Sequence, residues 1–184
     1  MNTGNVDNAS YKTTIEIGAG KLKQVCWYLV NACIFKSALF VSSSLKVFLL
    51  RLFGAKIETG VVIKPSVNIK YPWMLSIGRN TWIGENVWLD NVAFISIGNN
   101  VCISQGAVLI TGNHNYKKAS FDLILAAIHI EDGVWVGAKA IVCPGTVCAS
   151  HAVISAGAVV SGNIEAFTIY KGNPAQKTGV RVIN

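Results

Sequence analysis

Nowhere does this chain carry the unbroken run of about 20 apolar residues that a transmembrane helix needs, although 52% of its residues are hydrophobic. Its densest apolar stretch, Lys21 to Phe53, is cut by Lys36, by the Ser42 to Ser44 run and by Lys46. Nor does a secretory pattern open it: Met1 to Gly20 is polar, with no basic stretch leading into an apolar one. The cysteines, Cys26, Cys33, Cys102, Cys143 and Cys148, are odd in number and lack CxxC spacing. Neither a disulfide framework nor a zinc site is therefore expected, and a reducing cytoplasm is. Most of these cysteines read as small core fillers, Cys148 occupying an inward slot. Acidic side chains are scarce, 9 against 16 basic ones, giving a net charge of +7. That excess predicts an anionic partner, but the lysines are scattered and no nucleic-acid module is present. An anionic cofactor or an anionic membrane surface fits the charge; nucleic acid is not expected.

What the chain does have is a period of six. Aliphatic residues recur at Ile57, Ile63 and Ile69, at Ile77, Ile83 and Leu89, and at Ile97, Ile103 and Leu109. After an interruption they resume at Ile130, Val136, Val142, Cys148, Ile154 and Val160, with Ala166 as a weak last member. A hexapeptide repeat is a signature of the parallel β-helix, whose units bury their apolar residues by stacking on neighbours. Helices and plain alternating strands have periods of 3.6 and 2. The residue after the aliphatic is often small (Gly78, Gly84, Gly98, Ser104, Gly137, Ser155), as expected where the backbone bends or takes positive φ. The fifth residue of the unit is commonly small or β-branched, from Val61 and Val67 to Ala152 and Ala158, which suits a narrow interior. Extra residues at Leu75-Ser76 and Ile95-Ser96 make the early coil twenty residues long and the later one eighteen.

The sequence divides accordingly: a polar, flexible N-terminus (1–20), an amphipathic helical segment (21–54), a mainly β solenoid (55–170) and a tail (171–184). In the helical segment we expect two helices, roughly Leu22 to Phe40 and Ser44 to Phe53, with Gly54 as the C′ residue of the second. They can cap the open end of the first coil, as solenoids require. They can also attach peripherally to a membrane through residues 21–53, with Trp27, Tyr28, Lys21, Lys23, Lys36 and Lys46 at the surface. Both readings are compatible.

The period lapses from Ile110 to His129, an extruded loop (110–129) that contains Gly112-Asn113-His114-Asn115-Tyr116. Function tends to reside in loops held by rigid scaffolds. His114 is the one group at its root suited to general-base work. His129 and His151 read as ordinary coil-exterior or turn residues without metal spacing.

The chain resembles the hexapeptide-repeat acyltransferases, in particular the sugar O-acetyltransferases of the maltose, galactoside and colanic-acid types. The likeness rests on Leu49 to Ile57, Tyr71-Pro72-Trp73, the Gly112 to Tyr116 loop, Asp132-Gly133-Val134-Trp135-Val136-Gly137 and Tyr170-Lys171-Gly172-Asn173-Pro174-Ala175. The resemblance implies a left-handed parallel β-helix assembled as a homotrimer, with active sites between neighbouring solenoids. It makes His114 the general base that deprotonates a sugar hydroxyl attacking acetyl-CoA in a ternary complex. Asn113, Asn115 and Tyr116 would orient the base or hold the acceptor, and Asp90 and Asn91 match an acceptor position loosely. Acetyl-CoA would lie along the later coils, over Ala138 and Ala156, with Ser161 as a polar contact. Gln176 and Gly162 depart from positions that are commonly basic, leaving Lys177 and Arg181 for the phosphates. Trp135 serves either the cofactor or the outer packing.

The acceptor sugar, free or lipid-linked, would belong to exopolysaccharide, capsule or O-antigen, and the enzyme to the cytoplasm or the inner face of its membrane. An amino-sugar N-acetyltransferase remains an alternative. A γ-class carbonic anhydrase would need His114, His129 and His151 to converge on zinc, and a non-catalytic scaffold would need no His114 at all.

Overall fold

The computed structural model describes residues 4–11 and 17–184; of the expected flexible N-terminus, residues 1–3 and 12–16 lie outside the described residues. From Lys56 onward the chain winds into a β-solenoid with three parallel sheets as its faces. The first face stacks Lys56–Ile57, Leu75–Ile77, Ile95–Ile97, Ile128–Ile130, Val147–Cys148 and Asn163–Ile164. The second stacks Val62–Ile63, Trp82–Ile83, Cys102–Ile103, Trp135–Val136, Val153–Ile154 and Thr168–Gly172, and the third runs from Asn68–Ile69 to Val159–Val160. Equivalent aliphatics sit one above another: Ile57 pairs with Ile77, Ile77 with Ile97 and Ile97 with Ile130. All are buried, and so are the fifth-position residues, from Val61 to Ala158. The inserted Leu75 and Ile95 are absorbed as second inward residues on the first face, where Ile95 pairs with Ile128.

The small residue after the aliphatic has a different cause from the one expected. Gly78, Gly84, Gly98 and Gly137 are not at positive φ; that conformation falls two residues later, for example at Gly60 (+74°), Asn80 (+54°), Asn100 (+53°) and Gly133 (+68°). Glycine is needed after the aliphatic because successive coils approach closely. A Cβ on Gly78 would lie 2.6 Å from the carbonyl carbon of Gly98, and one on Gly137 would lie 2.5 Å from Ala156 N.

The N-terminal segment closes the first coil. Helix α1 (Lys21–Val30) runs into a π-helical turn, Asn31–Phe35, and α2 spans Ser43–Leu52. The first helix is shorter than expected, because the wider turn brings the buried Asn31 side chain to Ile69 N (3.3 Å) and Asn68 Oδ1 (2.8 Å), and the chain then leaves helical form. Each face receives its own cap. Arg51 donates to Ile57 O through Nε (2.9 Å) and Nη2 (2.7 Å) on the first face. Ser43 Oγ accepts from Ile63 N (3.0 Å) and Lys46 Nζ donates to Lys64 O (2.7 Å) on the second. Trp27 Nε1 donates to Ile69 O (2.9 Å) on the third. Burial pushes the Lys46 ammonium below its usual pKa. Gly54 (φ +98°) ends α2 as expected: its N–H bonds Arg51 O and that of Ala55 bonds Leu50 O, the Schellman pattern.

At the other end the sixfold register fails. Gly162 takes positive φ two residues after Val160 rather than three, so the last coil turns early and Ile164, not Ala166, faces inward opposite Cys148. Ala166 is exposed. The chain then folds back, Ala175–Val180 pairing antiparallel with Thr168–Gly172 across a cis Asn173–Pro174 bond. The expectation for cysteine also needs correction. Only Cys148 is a core filler, its thiol pushed up to about 12 by burial. Cys102 and Cys143 are half-buried, and Cys26 and Cys33 are exposed on the helical cap.

Gly137→Ala should lower stability by about 1–3 kcal/mol, because its methyl must push apart two hydrogen-bonded coils. Gly157→Asn, at a positive-φ corner open to solvent, should cost under about 1 kcal/mol. Urea unfolding of both variants compares the two causes directly.

Candidate functional site

The loop that breaks the register is a built hairpin. Its root is fixed by the buried Thr111, whose Oγ1 donates to Asp90 O (2.8 Å) and accepts from Ala93 N (3.0 Å). Gly112–His114 then pairs antiparallel with Leu123–Leu125, His114 opposite Leu123. The His114 ring stacks on Phe121, with centroids 4.3 Å apart and planes 7° from parallel. Its Nδ1 lies 2.8 Å from Phe121 O. A carbonyl oxygen only accepts, so Nδ1 carries the hydrogen in the neutral ring and Nε2 is left with the free lone pair. Phe121 supplies this contact from a left-handed backbone conformation (φ +48°), which is costly for an aromatic residue and held by the hairpin around it. Sequence reading missed Phe121: it lies seven residues from His114 inside the aperiodic stretch, where no register marks it.

The neighbours of His114 have local duties. Asn113 Oδ1 accepts from His114 N (2.8 Å) and Asn115 Oδ1 from Lys117 N (3.2 Å), so both shape the turn. Tyr116 projects into solvent. Lys118 pairs with Asp122 at 2.8 Å, which holds that carboxyl below its ordinary pKa. The N-terminal segment reaches the same hairpin: Asp7 N donates to Ala119 O (2.9 Å), and the Tyr11 ring lies 6.1 Å from that of His114.

A second feature lies further along the solenoid. Lys139 N donates to Gln105 O and Gly157 N to Ala138 O, so Gln105, Ala138 and Ala156 rise one above another on successive coils. With Trp135 they line a groove of about 330 Å³. Trp135 forms its wall, the indole N–H donating to Ser104 Oγ at 2.9 Å. Ser161, Lys177 and Arg181 do not line this groove. Ser161 is exposed at the corner after the third face. Lys177 Nζ bonds Glu165 Oε2 at 2.6 Å, which raises its pKa, and Arg181 donates to Gly133 O (2.8 Å) and His151 O (3.3 Å).

The third feature is a cleft of about 480 Å³ between α1 and the third face, lined by Tyr28, Lys70, Tyr71, Trp88 and Asp90 among others. Asp90 Oδ1 is buried without a well-aligned hydrogen bond, and Lys70 Nζ stands 2.9 Å away. Asn91 cannot meet a ligand as expected. It is fully buried, and its side chain is spent on Tyr71 N, Tyr71 O and Met74 O.

The other histidines stay apart from His114. His129 sits on the first face against Ser96 Oγ (2.8 Å), and His151 packs on Phe167 at a coil corner. Among the described residues, no three His, Cys, Asp or Glu side chains are grouped to hold a metal ion. In a long-range proton–nitrogen NMR spectrum of the neutral ring, Nδ1 of His114 should appear protonated and Nε2 bare.

No protein-family model matches the chain. It is 37% identical over 158 residues to the "Putative colanic acid biosynthesis acetyltransferase WcaF" of Escherichia coli (strain K12), covering 86% of this chain and 87% of that protein. It is 27% identical over 139 residues to the galactoside O-acetyltransferase of the same organism, covering 74% and 68% of the two chains. In fold it matches a hexapeptide-repeat acetyltransferase of Vibrio cholerae O1 biovar eltor solved with acetyl coenzyme A. The TM-score is 0.75 at 22% identity, over 88% of this chain and 87% of that one. The stacked hexapeptides, the hairpin that interrupts them and the identity to WcaF along most of both chains agree, and the chain belongs to the hexapeptide-repeat acetyltransferase family.

Proposed function

We propose that the protein transfers the acetyl group of acetyl-CoA to a hydroxyl of a sugar, free or lipid-linked, in the assembly of an exopolysaccharide, capsule or O-antigen. The observation that carries this reading is the orientation of His114: the Phe121 carbonyl occupies Nδ1 and leaves Nε2 as the base. An alcohol is a poor nucleophile at neutral pH, and a positioned imidazole contributes roughly 10²–10⁴-fold. In a ternary complex Nε2 takes the hydroxyl proton as the oxygen attacks the thioester carbonyl. The tetrahedral intermediate then collapses, the carbon–sulfur bond breaks, and the thiolate of coenzyme A recovers that proton. Backbone N–H groups of a neighbouring coil are the natural oxyanion donors. No acyl-enzyme is needed.

The groove over Ala138 and Ala156 suits the pantetheine arm, because small residues let it lie against the backbone, with Trp135 as one wall. Ser161, Lys177 and Arg181 would meet the more distant, polar end of the cofactor. Asp90, in the cleft beside the hairpin root, suits the acceptor: a carboxylate accepts sugar hydroxyls, while Trp88 and Tyr71 offer flat apolar faces. Asn113, Asn115 and Tyr116 border the base. The assembly is a homotrimer in which neighbouring solenoids complete each site, and acetyl-CoA places the reaction in the cytoplasm. The names of the relatives, a colanic acid acetyltransferase and a galactoside O-acetyltransferase, support a glycan acceptor.

A screen of sugars and nucleotide sugars with acetyl-CoA, read by release of free thiol, tests the reading. With the acceptor found, His114→Ala should lower kcat by about 10²–10⁴-fold while leaving acetyl-CoA binding within about twofold. Undiminished transfer by that variant would end the general-base assignment. Ala156→Phe should raise the KM for acetyl-CoA about tenfold or more, by filling the groove.

A further inference from the structure

The helical cap is apolar on its outer side as well as its inner one. On α2 the lysine points inward: Lys46 is fully buried, while Leu45, Phe48 (60% exposed) and Leu52 (66%) face out. The outer face of a surface helix is ordinarily polar or charged. On α1 the outward side carries Leu22, Val25 and Leu29, spaced three and four residues apart, although the inward side is already apolar through Trp27. The connection between the helices adds Leu39 (88%) and Val41 (72%). Single exposed leucines need no explanation, but a concentration on one end of a molecule marks an interaction surface.

Charge narrows the kind of partner. From Ile17 to Ile57 the chain carries six lysines and arginines and no aspartate or glutamate. Lys46 and Arg51 are used in capping, while Lys21, Lys36 and Lys56 remain exposed around the apolar residues. Apolar side chains ringed by uncompensated cations complement an anionic lipid surface, where the chains enter the acyl boundary and the ammonium groups meet phosphates. A protein partner would be expected to answer some of these cations with its own carboxylates; a second copy of this cap has none to offer.

We propose that the outer side of α1, the 36–42 connection and α2 together form a docking surface for an anionic phospholipid membrane. Among the described residues no helix is long and apolar enough to cross the bilayer, and the contact proposed is interfacial. The structure shows why docking and capping do not compete: the inward groups hold the first coil, and a different set faces out. The cleft beside Asp90 is walled by α1, so the surface brings that cleft to the bilayer. In the trimer proposed above, threefold rotation keeps the caps level along the axis, so three surfaces could engage one membrane together.

Sedimentation of the full chain with vesicles of phosphatidylglycerol and phosphatidylcholine tests this. Binding is expected at low salt, weakening at high salt and with phosphatidylcholine alone. The double variant Phe48→Ser, Leu52→Ser should lower vesicle affinity about tenfold or more, with oligomeric mass unchanged. Leu39→Ser with Val41→Ser, outside both helices, provides a second variant should the first not fold. Failure of the wild type to sediment, or undiminished binding by the folded variants, would overturn the proposal. So would a change of oligomeric mass in the variants, which would make this surface a contact between copies. The assay reads no acetyl transfer, so its failure and that of the proposed reaction are separable.

Discussion

Everything in this molecule hangs on the close stacking of one coil on the next. Strands of two or three residues cannot hold a sheet by themselves; the ladder works because the same corner recurs at the same height on every coil. Gly78 lies against Gly98, and Gly137 against the Ala156 backbone, leaving no room for a Cβ. That proximity makes the hydrogen bonds between coils and lets one aliphatic per face fill the interior. It also leaves the first coil with backbone groups that no further coil can satisfy.

The cap answers that problem with side chains chosen for reach rather than hydrophobicity. Arg51, Ser43, Lys46, Trp27 and Asn31 each bring a polar atom to the first coil's exposed edge. Using Lys46 this way requires burying it, at a cost visible in its depressed pKa. With Lys46 buried and Arg51 bent back to Ile57 O, leucine and phenylalanine are left on the outside. The same helices can therefore close a solenoid and face an apolar medium.

The proposed active centre obeys the same economy. The coil corner at Thr111 anchors the hairpin, the hairpin returns Phe121 to His114, and the Phe121 carbonyl fixes the tautomer. The groove along Ala138 and Ala156 follows from the repeat itself, since equivalent corners of successive coils must line up. In the proposed reaction the rigid ladder supplies the track, and the hairpin that interrupts it supplies the base.

The sequence by itself determined the solenoid, because burial recurring every six residues has few other solutions, and it singled out the stretch holding His114. It misjudged Ala166, since a turn that comes one residue early at Gly162 leaves no trace in hydrophobicity. It offered Asn91 as a ligand contact, because composition does not reveal that an amide is already spent on three backbone groups. It assigned the small residues to bends or positive φ, when the approach of a coil some twenty residues distant is what leaves no room for a Cβ. It also could not say which side of α1 and α2 faces the solenoid, as both sides are apolar. Periodic packing is a local property written in every unit. The tautomer of His114 depends on how an aperiodic hairpin closes Phe121 onto it, and the inward turn of Lys46 on a strand carried by the solenoid; no period in the sequence encodes either, and only the tertiary structure decided them.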